Sequence, residues 1–143
     1  MKALFHLASE IQTLFTKQKW RFCFIGAISV QRWGEPRITA DVDISLLTGF
    51  GNEKHYIDFL CSQYASRIKN SREFALQSRV LLLKSGNNIP IDIALAGLPF
   101  EEMAIERATS FSFLKSVKLR TCSKFPKLRK GAMFYINIHD LQS

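Results

Sequence analysis

Two aspartates separated by a single apolar residue, Asp41 and Asp43, are the side chains of this sequence best placed to do chemistry. The residues around them predict a strand over 40–47, in which successive side chains point to opposite faces. The two carboxylates would therefore share one face, where a cation, a shared proton or water must relieve their repulsion. Binding of a metal ion together with phosphate is the simplest interpretation, and a solvated pair on an edge strand is the alternative.

A third carboxylate, that of Asp92, is the only charge in the apolar segment 89–96, which is also predicted to be a strand. Another apolar segment, 79–84, precedes it through Ser-Gly-Asn-Asn at 85–88, a composition typical of a hairpin loop. If these strands adjoin the strand of Asp43, Asp92 lies roughly 5 to 10 Å away across the sheet, at one or two strand spacings. Three converging carboxylates form an all-oxygen ligand set that suits Mg²⁺ or Mn²⁺ rather than Zn²⁺.

A phosphate-binding turn is predicted at Gly26, which ends an apolar segment upstream of the aspartates. Backbone N–H groups at a turn from strand to helix can approach phosphate oxygens closely. Ala27 would contribute only its backbone N–H, and Ser29 carries the nearest hydroxyl. Arg37 and Thr39 precede the acidic pair, where arginine can bind phosphate and threonine can contact a metal-bound water. An ordinary strand-end glycine and an ordinary salt bridge for Arg37 are the alternatives.

Hydrophobic periodicity predicts one mixed α/β (α+β) domain, a small mixed β-sheet with helices packed on one face. In both aspartate-bearing strands the apolar side chains share one face and the carboxylates share the other, so the acidic face is internally consistent. Helices are predicted over 2–18, 27–33, 53–68 and 100–108, and further strands over 21–25 and 117–120.

The composition is that of an ordinary globular protein, with 143 residues, 47% of them hydrophobic and 22% charged. No apolar segment approaches the length of a membrane helix, and polar residues follow the N-terminal apolar stretch too soon for a signal peptide. We therefore expect a cytoplasmic location and no membrane contact. The three cysteines, which are widely spaced and predicted to be buried free thiols, are Cys23, Cys61 and Cys122.

Positive charge is concentrated at the C-terminal end of the chain. Residues 107–143 contain eight lysines and arginines and one acid, a balance of +7 in a chain of net charge +8. We expect a folded domain over 1–122, which the resemblance described below identifies as the nucleotidyltransferase domain, and a basic C-terminal tail over 123–143 that contacts a polyanion such as RNA, with a merely solvated tail as the alternative. Trp33, near the Gly26 turn, has two interpretations, a surface on which a base stacks and a core side chain.

The order of these features resembles that of the AbiEii-type toxin nucleotidyltransferases, within the polymerase-β-like nucleotidyltransferase superfamily. The superfamily pattern is a Gly-Gly or Gly-Ser turn, an Asp-x-Asp motif and a third aspartate on a later strand. The chain departs from this pattern at Ala27 and over 123–143. The segments that carry the resemblance are Arg37-x-Thr39-x-Asp41-x-Asp43, Arg79-Val-Leu-Leu-Leu, Pro90-Ile-Asp92-Ile-Ala and Leu98-Pro-Phe-Glu-Glu.

The resemblance implies a minimal nucleotidyltransferase fold and a metal-dependent transfer reaction. A nucleoside monophosphate would pass from an NTP such as ATP or GTP to a hydroxyl on a tRNA-like RNA or on a protein. Asp41, Asp43 and Asp92 would ligate the metal ions, and Asp92 would also accept the proton of the acceptor hydroxyl. The resemblance further implies the toxin of a toxin–antitoxin pair, with a cognate antitoxin as partner. A catalytically inactive nucleotide- or RNA-binding module of the same fold is the alternative.

Overall fold

The computed structural model describes residues 2–34 and 40–122, which form five helices and seven strands. The helices are α1 (Lys2–Lys17), α2 (Gly26–Arg32), α3 (Glu53–Gln63), α4 (Ser71–Ser78) and α5 (Pro99–Glu106). The strands are β1 (Phe22–Ile25), β2 (Val42–Leu47), β3 (Ala65–Ser66), β4 (Val80–Lys84), β5 (Pro90–Ala96), β6 (Thr109–Leu114) and β7 (Val117–Thr121).

All seven strands belong to one mixed sheet in the order β3-β4-β5-β2-β1-β7-β6. Strand β2 is parallel to β5, and β1 is parallel to β7, whereas the other neighbouring pairs are antiparallel. The strand that follows Asp41 therefore lies at the centre of the sheet rather than at an edge. This arrangement confirms the predicted mixed α/β class, and the hairpin predicted at 85–88 joins β4 to β5.

The main hydrophobic core lies on one face of the sheet, as the alternation in β2 and β5 predicts. Every second residue of these strands is buried there beneath α1, α3 and part of α4, because side chains of period two alternate between faces. The sheet residues from these two strands that form this core are Val42, Ile44, Leu46, Ile91, Ile93 and Leu95.

The opposite face, which carries the carboxylates, has a smaller hydrophobic cluster of its own. Cys23 and Ile25 of β1 meet Val80 and Leu82 of β4 in this cluster, and Ile105 of α5 packs against it. Helices therefore cover part of both faces of the sheet, whereas the sequence predicts helices on one face only. The acidic side chains of this face consequently sit among apolar neighbours.

The segment between β2 and β4 differs most from the prediction. The helix predicted over 53–68 ends at Gln63, because Tyr64 adopts an extended backbone and Ile68 is exposed rather than in the core. The additional helix α4 lies between Asn70 and Arg79, and both of these flanking residues have a left-handed backbone. Arg79 thus terminates a helix instead of beginning the strand predicted at 79–84.

Several predictions fall on residues outside the described ranges. Arg37, predicted to bind phosphate, and Thr39, predicted to contact a metal-bound water, belong to them, and so does the basic tail over 123–143. Within the described ranges, none of the helices combines the length and the apolar character needed to cross a membrane.

Candidate metal centre

Three aspartates meet on one face of the central strands. Asp43 of β2 and Asp92 of β5 are direct neighbours in the parallel register, and Asp41 immediately precedes β2. One carboxylate oxygen from each residue lies within 4.8 Å of the other two. The convergence predicted from period two and from the strand pairing is therefore present.

Asp43 and Asp92 are buried, and their neighbours across the sheet are apolar. Each residue is 1% exposed. Asp92 pairs with Leu82 of β4 on its other side, and Asp43 pairs with Ile25 of β1. Burial disfavours the charged form of a carboxyl group, and the neighbouring Asp43 carboxylate adds repulsion. Together these effects, opposed by the Arg67 guanidinium, raise the pKa of Asp92 to about 8.

Arg67 is a member of this site that the sequence analysis does not single out. Its Nη2 donates a hydrogen bond to Asp92 Oδ1 at 2.5 Å, and its Nη1 donates to the Leu83 carbonyl at 3.0 Å. Its backbone N–H also donates to the Leu82 carbonyl. These bonds hold Arg67 beside β4, on the side where β3 pairs with that strand. The sequence gives only a general indication of such a residue, because a buried carboxylate in an apolar strand requires a positively charged partner.

Gly26 brings the main chain against Asp43. Ile25 pairs with Asp43 across β1 and β2, and the chain then turns into α2 with Gly26 at a φ of +67°. A Cβ atom at this position would lie 2.2 Å from Asp43 Oδ2, so any other residue would have to displace the Asp43 side chain. Two features therefore favour glycine at this position: the left-handed backbone and the close approach to the Asp43 carboxylate.

The other residues predicted at the phosphate turn are placed differently. Ala27 follows Gly26 in the first turn of α2 and offers its backbone N–H, as expected of a residue with only a methyl group. Ser29 does not join the group, because it is buried and its hydroxyl lies 2.8 Å from the Cys122 sulfur. Its position one turn into the helix directs the hydroxyl toward β7 instead of toward the aspartates.

The donor set fits a hard divalent cation. All three potential ligands are carboxylates, and one of the Asp92 oxygens, Oδ2, is buried and has no hydrogen-bond partner among the described residues. Oxygen-only sites of this kind suit Mg²⁺ or Mn²⁺, whereas Zn²⁺ prefers nitrogen and sulfur ligands. A cation here would also offset the repulsion between Asp43 and Asp92.

The sequence matches no family model, and no curated protein is significantly similar to it.

Proposed function

We propose that this protein is a metal-dependent nucleotidyltransferase, which transfers a nucleoside monophosphate from an NTP to a hydroxyl on RNA or on a protein. The observation that carries the proposal is the group formed by Asp41, Asp43 and Asp92, whose oxygens lie within 4.8 Å of one another on the central strands. The order of the motifs, which resembles that of the AbiEii-type toxin nucleotidyltransferases, supports the same activity.

The three aspartates would hold Mg²⁺ or Mn²⁺ through carboxylate oxygens. When bound, such ions neutralise phosphate charge and lower the pKa of a coordinated hydroxyl, which is the main demand of phosphoryl-type transfer. Asp41 is partly exposed and lies toward solvent, whereas Asp43 and Asp92 are buried beneath it. This difference in exposure would let a substrate reach the metal centre from the solvent side, while the buried ligands Asp43 and Asp92 stay rigid.

The polyphosphate of the NTP would lie where the first turn of α2 meets Asp43. The first N–H groups of a helix have no partner within the helix, and no side chain of the residue preceding α2 caps them. Gly26 allows the main chain to come this close to the acidic group, so the backbone donors of α2 would bind phosphate oxygens beside the carboxylates that would hold the metal ion.

Arg67 would act as a positioning residue for Asp92. The hydrogen bond from its Nη2 leaves Oδ2 of the same carboxylate for the metal, and it favours the ionised form that a ligand requires. The proton lost by the attacking hydroxyl would be accepted by the Asp92 carboxylate.

The same ion pair supports a second candidate function, an inactive nucleotide- or RNA-binding module. A guanidinium 2.5 Å from Asp92 already supplies positive charge to the site, as would be needed in a fold that no longer holds a cation. The two candidates differ in metal binding. Thermal denaturation with and without Mn²⁺ should show a stabilised protein if the aspartates bind metal and an unchanged protein if Arg67 has replaced it.

Release of pyrophosphate from ATP, GTP, CTP and UTP, with Mg²⁺ and with RNA or protein acceptors, tests the activity itself. Asp43→Asn should lower the rate by about two orders of magnitude or more, because a metal ligand supports several kcal/mol of charge stabilisation. It should leave the fold intact and increase metal-free stability slightly as repulsion decreases. The matched control is Asp58→Asn, the same change at an exposed aspartate paired with Arg72. Equal rates for the two variants would exclude the metal-dependent mechanism.

A toxin role with a cognate antitoxin is proposed on the resemblance. Expression in a bacterial host should arrest growth in the wild-type form and not in the Asp43→Asn form, because arrest would depend on the transfer reaction. Arrest by both forms would separate any toxicity from nucleotidyl transfer.

A further inference from the structure

A cleft lies at the start of β1, at the other end of this strand from the aspartates. Its walls come from the C-terminal end of α1, from β1 and β7, and from the end of α5, and its volume is about 490 Å³. Pockets for small molecules have volumes of about 300–1,000 Å³, so this space is large enough for one. At about 3.3 Å per residue, the distance from Phe22 to Ile25, the partner of Asp43, is roughly 10 Å, so the cleft is separate from the metal centre.

The cleft forms where β1 and β7 separate. One register pair, Phe24 with Thr121, joins the two strands. Toward the start of β7, the side-chain amide of Gln12 on α1 bonds to the β7 backbone in the way that a neighbouring strand would. Its Nε2 donates to the Lys118 carbonyl at 2.6 Å, and its Oε1 accepts from the Arg120 N–H at 2.9 Å. These groups of β7 are therefore satisfied without β1, and the gap between the strands is part of the fold.

Positive charge dominates the lining of the cleft. Lys19, Arg21 and Arg120 supply three cations, and Glu106 is the one acid among the residues that line it. The lining therefore has an excess of two positive charges. Glu106 pairs with Arg21 at 2.7 Å, and both side chains are about half exposed, so this ion pair lies at the rim.

Arg120 is held firmly against the wall of the cleft. Its Nη2 donates to the Ile105 carbonyl at 2.8 Å, and its backbone N–H donates to Gln12. Among the described residues, neither its Nε nor its Nη1 has a hydrogen-bond partner. Because the guanidinium is already oriented, an oxyanion that accepts from these two nitrogens costs little side-chain entropy.

The helix ends beside the cleft do not cancel this charge. The last carbonyl groups of a helix lack N–H partners within it and carry partial negative charge. At the end of α1, the N–H groups of Gln18, Lys19 and Trp20 donate to carbonyls of the last turn, and at the end of α5 those of Arg107 and Ala108 do so. The backbone thus offsets part of the negative charge, and the lysine and arginine side chains remain available to an anion.

The remaining wall of the cleft is apolar and rigid. Phe22 and Ile105 are buried core residues that also line the cleft. The Trp20 ring contacts the rings of Phe15 and Tyr56, at centroid distances of 5.1 and 4.9 Å, so its orientation is fixed. The cleft thus offers an apolar surface beside a group of cations, which suits a ligand with an anionic head and an apolar body.

We propose that this cleft binds a small phosphate monoester, whose phosphate lies between Lys19 and Arg120 and whose apolar part lies against Trp20. A phosphate monoester carries about 1.5 to 2 negative charges at pH 7, which matches the excess positive charge of the lining. Arginine binds phosphate oxygens in a bidentate manner, and lysine contributes a point charge. None of the three aspartates lines the cleft, so this site is independent of the proposed nucleotidyltransferase activity.

Tryptophan fluorescence provides a direct test of binding in the cleft. Trp33, the other tryptophan, is 39% exposed and thus not a core side chain, so Trp33→Phe leaves Trp20 as the reporter. In a chelating buffer at constant ionic strength, phenyl phosphate should change this fluorescence saturably. Benzoate has one negative charge and inorganic phosphate has no apolar part, so each should bind about tenfold more weakly. Phenol, which is uncharged, should not bind measurably.

Two exposed lysines near the end of α1 give a matched pair of variants on this background. Lys19→Gln removes a cation that lines the cleft, whereas Lys17→Gln removes one that does not. Lys19→Gln should weaken binding of phenyl phosphate about fivefold, the effect of losing one exposed charge pair. Lys17→Gln should leave the affinity unchanged to within about twofold, because salt screens a charge outside the cleft.

Glu106→Gln should have the opposite effect. It removes the one acid of the lining and releases Arg21 from its ion pair, so phenyl phosphate should bind about threefold to fivefold more tightly. A gain in affinity cannot result from unfolding, which keeps the test valid if another variant is unstable. Glu102→Gln, the same change in the first turn of α5, is the control and should leave the affinity unchanged.

Asp43→Asn separates the cleft from the metal centre. This variant should bind phenyl phosphate as tightly as the wild type, and loss of binding would place the probe at the aspartates or at the α2 turn instead. If Lys19→Gln weakens binding and Glu106→Gln tightens it, the cleft is a phosphate site whether or not nucleotidyl transfer is detected. Equal affinities of Lys17→Gln and Lys19→Gln, or equal binding of phenol and phenyl phosphate, would overturn the proposal.

Discussion

Asp92 is the residue whose chemistry depends most on its surroundings. Arg67 donates to one of its oxygens, Asp43 lies beside it in the parallel register, and its other neighbours across the sheet are apolar. These influences oppose each other, and burial, the largest of them, raises the pKa of Asp92 to about 8. Without a metal ion this carboxyl group can be neutral near pH 7, and with a metal ion bound it can be a charged ligand.

The raised pKa predicts how stability changes with pH. A carboxyl group whose folded pKa exceeds its unfolded pKa binds more protons when folded, so it stabilises the fold fully below pH of about 4 and loses this contribution as pH rises toward 8. In a chelating buffer, the melting temperature of the wild type should therefore fall more than that of Asp92→Asn between pH 5 and pH 9. Asp58→Asn should follow the wild type. Parallel curves for Asp92→Asn and the wild type would mean that Asp92 does not titrate between pH 5 and pH 9, which would contradict the raised pKa.

At the scale of elements, the strands that carry the acids were predictable because one strong pattern governs each of them. In β2 and β5 the apolar residues from Val42 to Leu46 and from Ile91 to Leu95 alternate with acids or small residues, and the central position of both strands buries these apolar side chains. The acidic face follows directly from this alternation. The pairing of the two strands is nonlocal, but adjacency of the strands alone is enough to bring Asp92 near Asp43.

Other elements could not be predicted from the sequence, for physical reasons. Strand β6 is an exposed edge with four of its six residues open to solvent, so it has no buried face to produce a pattern. Helix α4 has only two buried residues and is bounded by left-handed residues that are not glycine. Arg67 could not be assigned to the site because its contact with Asp92 depends on the order of β3, β4 and β5. The predicted role of Ser29 is not supported by its position, because the residue lies one turn into α2 and bonds to Cys122.

The turn between β1 and α2 gives a prediction with an internal control. Gly26→Ala should cost about 1–2 kcal/mol of stability for its left-handed backbone, and it should also displace Asp43. Gly49 has nearly the same φ, +70°, with no atom within 4 Å of an added Cβ, so Gly49→Ala carries the backbone cost alone. Mn²⁺ affinity, measured by calorimetry, should therefore fall in Gly26→Ala and stay unchanged in Gly49→Ala. Equal affinities in both variants would show that the contact between Gly26 and Asp43 does not affect the metal ligands.

At the scale of the whole molecule, the uneven charge of the chain predicts how RNA binding responds to salt. Each phosphate neutralised by a lysine or arginine contributes a slope of about −0.7 to the dependence of log affinity on log salt for a single strand. Replacing four basic residues of the tail by glutamine should flatten this slope and weaken RNA binding, while NTP binding at the aspartates barely changes. The four residues are Lys124, Lys127, Arg129 and Lys130.

An equal change of charge elsewhere is the control for that experiment. Four exposed lysines on the helices and loops of the described region can be changed to glutamine together, which also removes four positive charges from the chain. If both quadruple variants flatten the slope equally, net charge rather than the tail governs binding. If neither does, the tail is a solvated end of the chain. The control lysines are Lys2, Lys17, Lys54 and Lys69.

The parallel pairing of β2 with β5 also has a consequence for the order of folding. Residues 48–89 separate the two strands in the chain, and parallel neighbours cannot be joined by a tight turn. Closing such a long connection is entropically slow, so we expect Asp43 and Asp92 to meet after most of the antiparallel pairs have formed. Mg²⁺ should then slow unfolding and leave the refolding rate nearly unchanged. During synthesis, the ribosome must release the chain beyond Ala96 before the acidic site can form, so the nascent protein would have no metal centre until nearly the whole sheet is made.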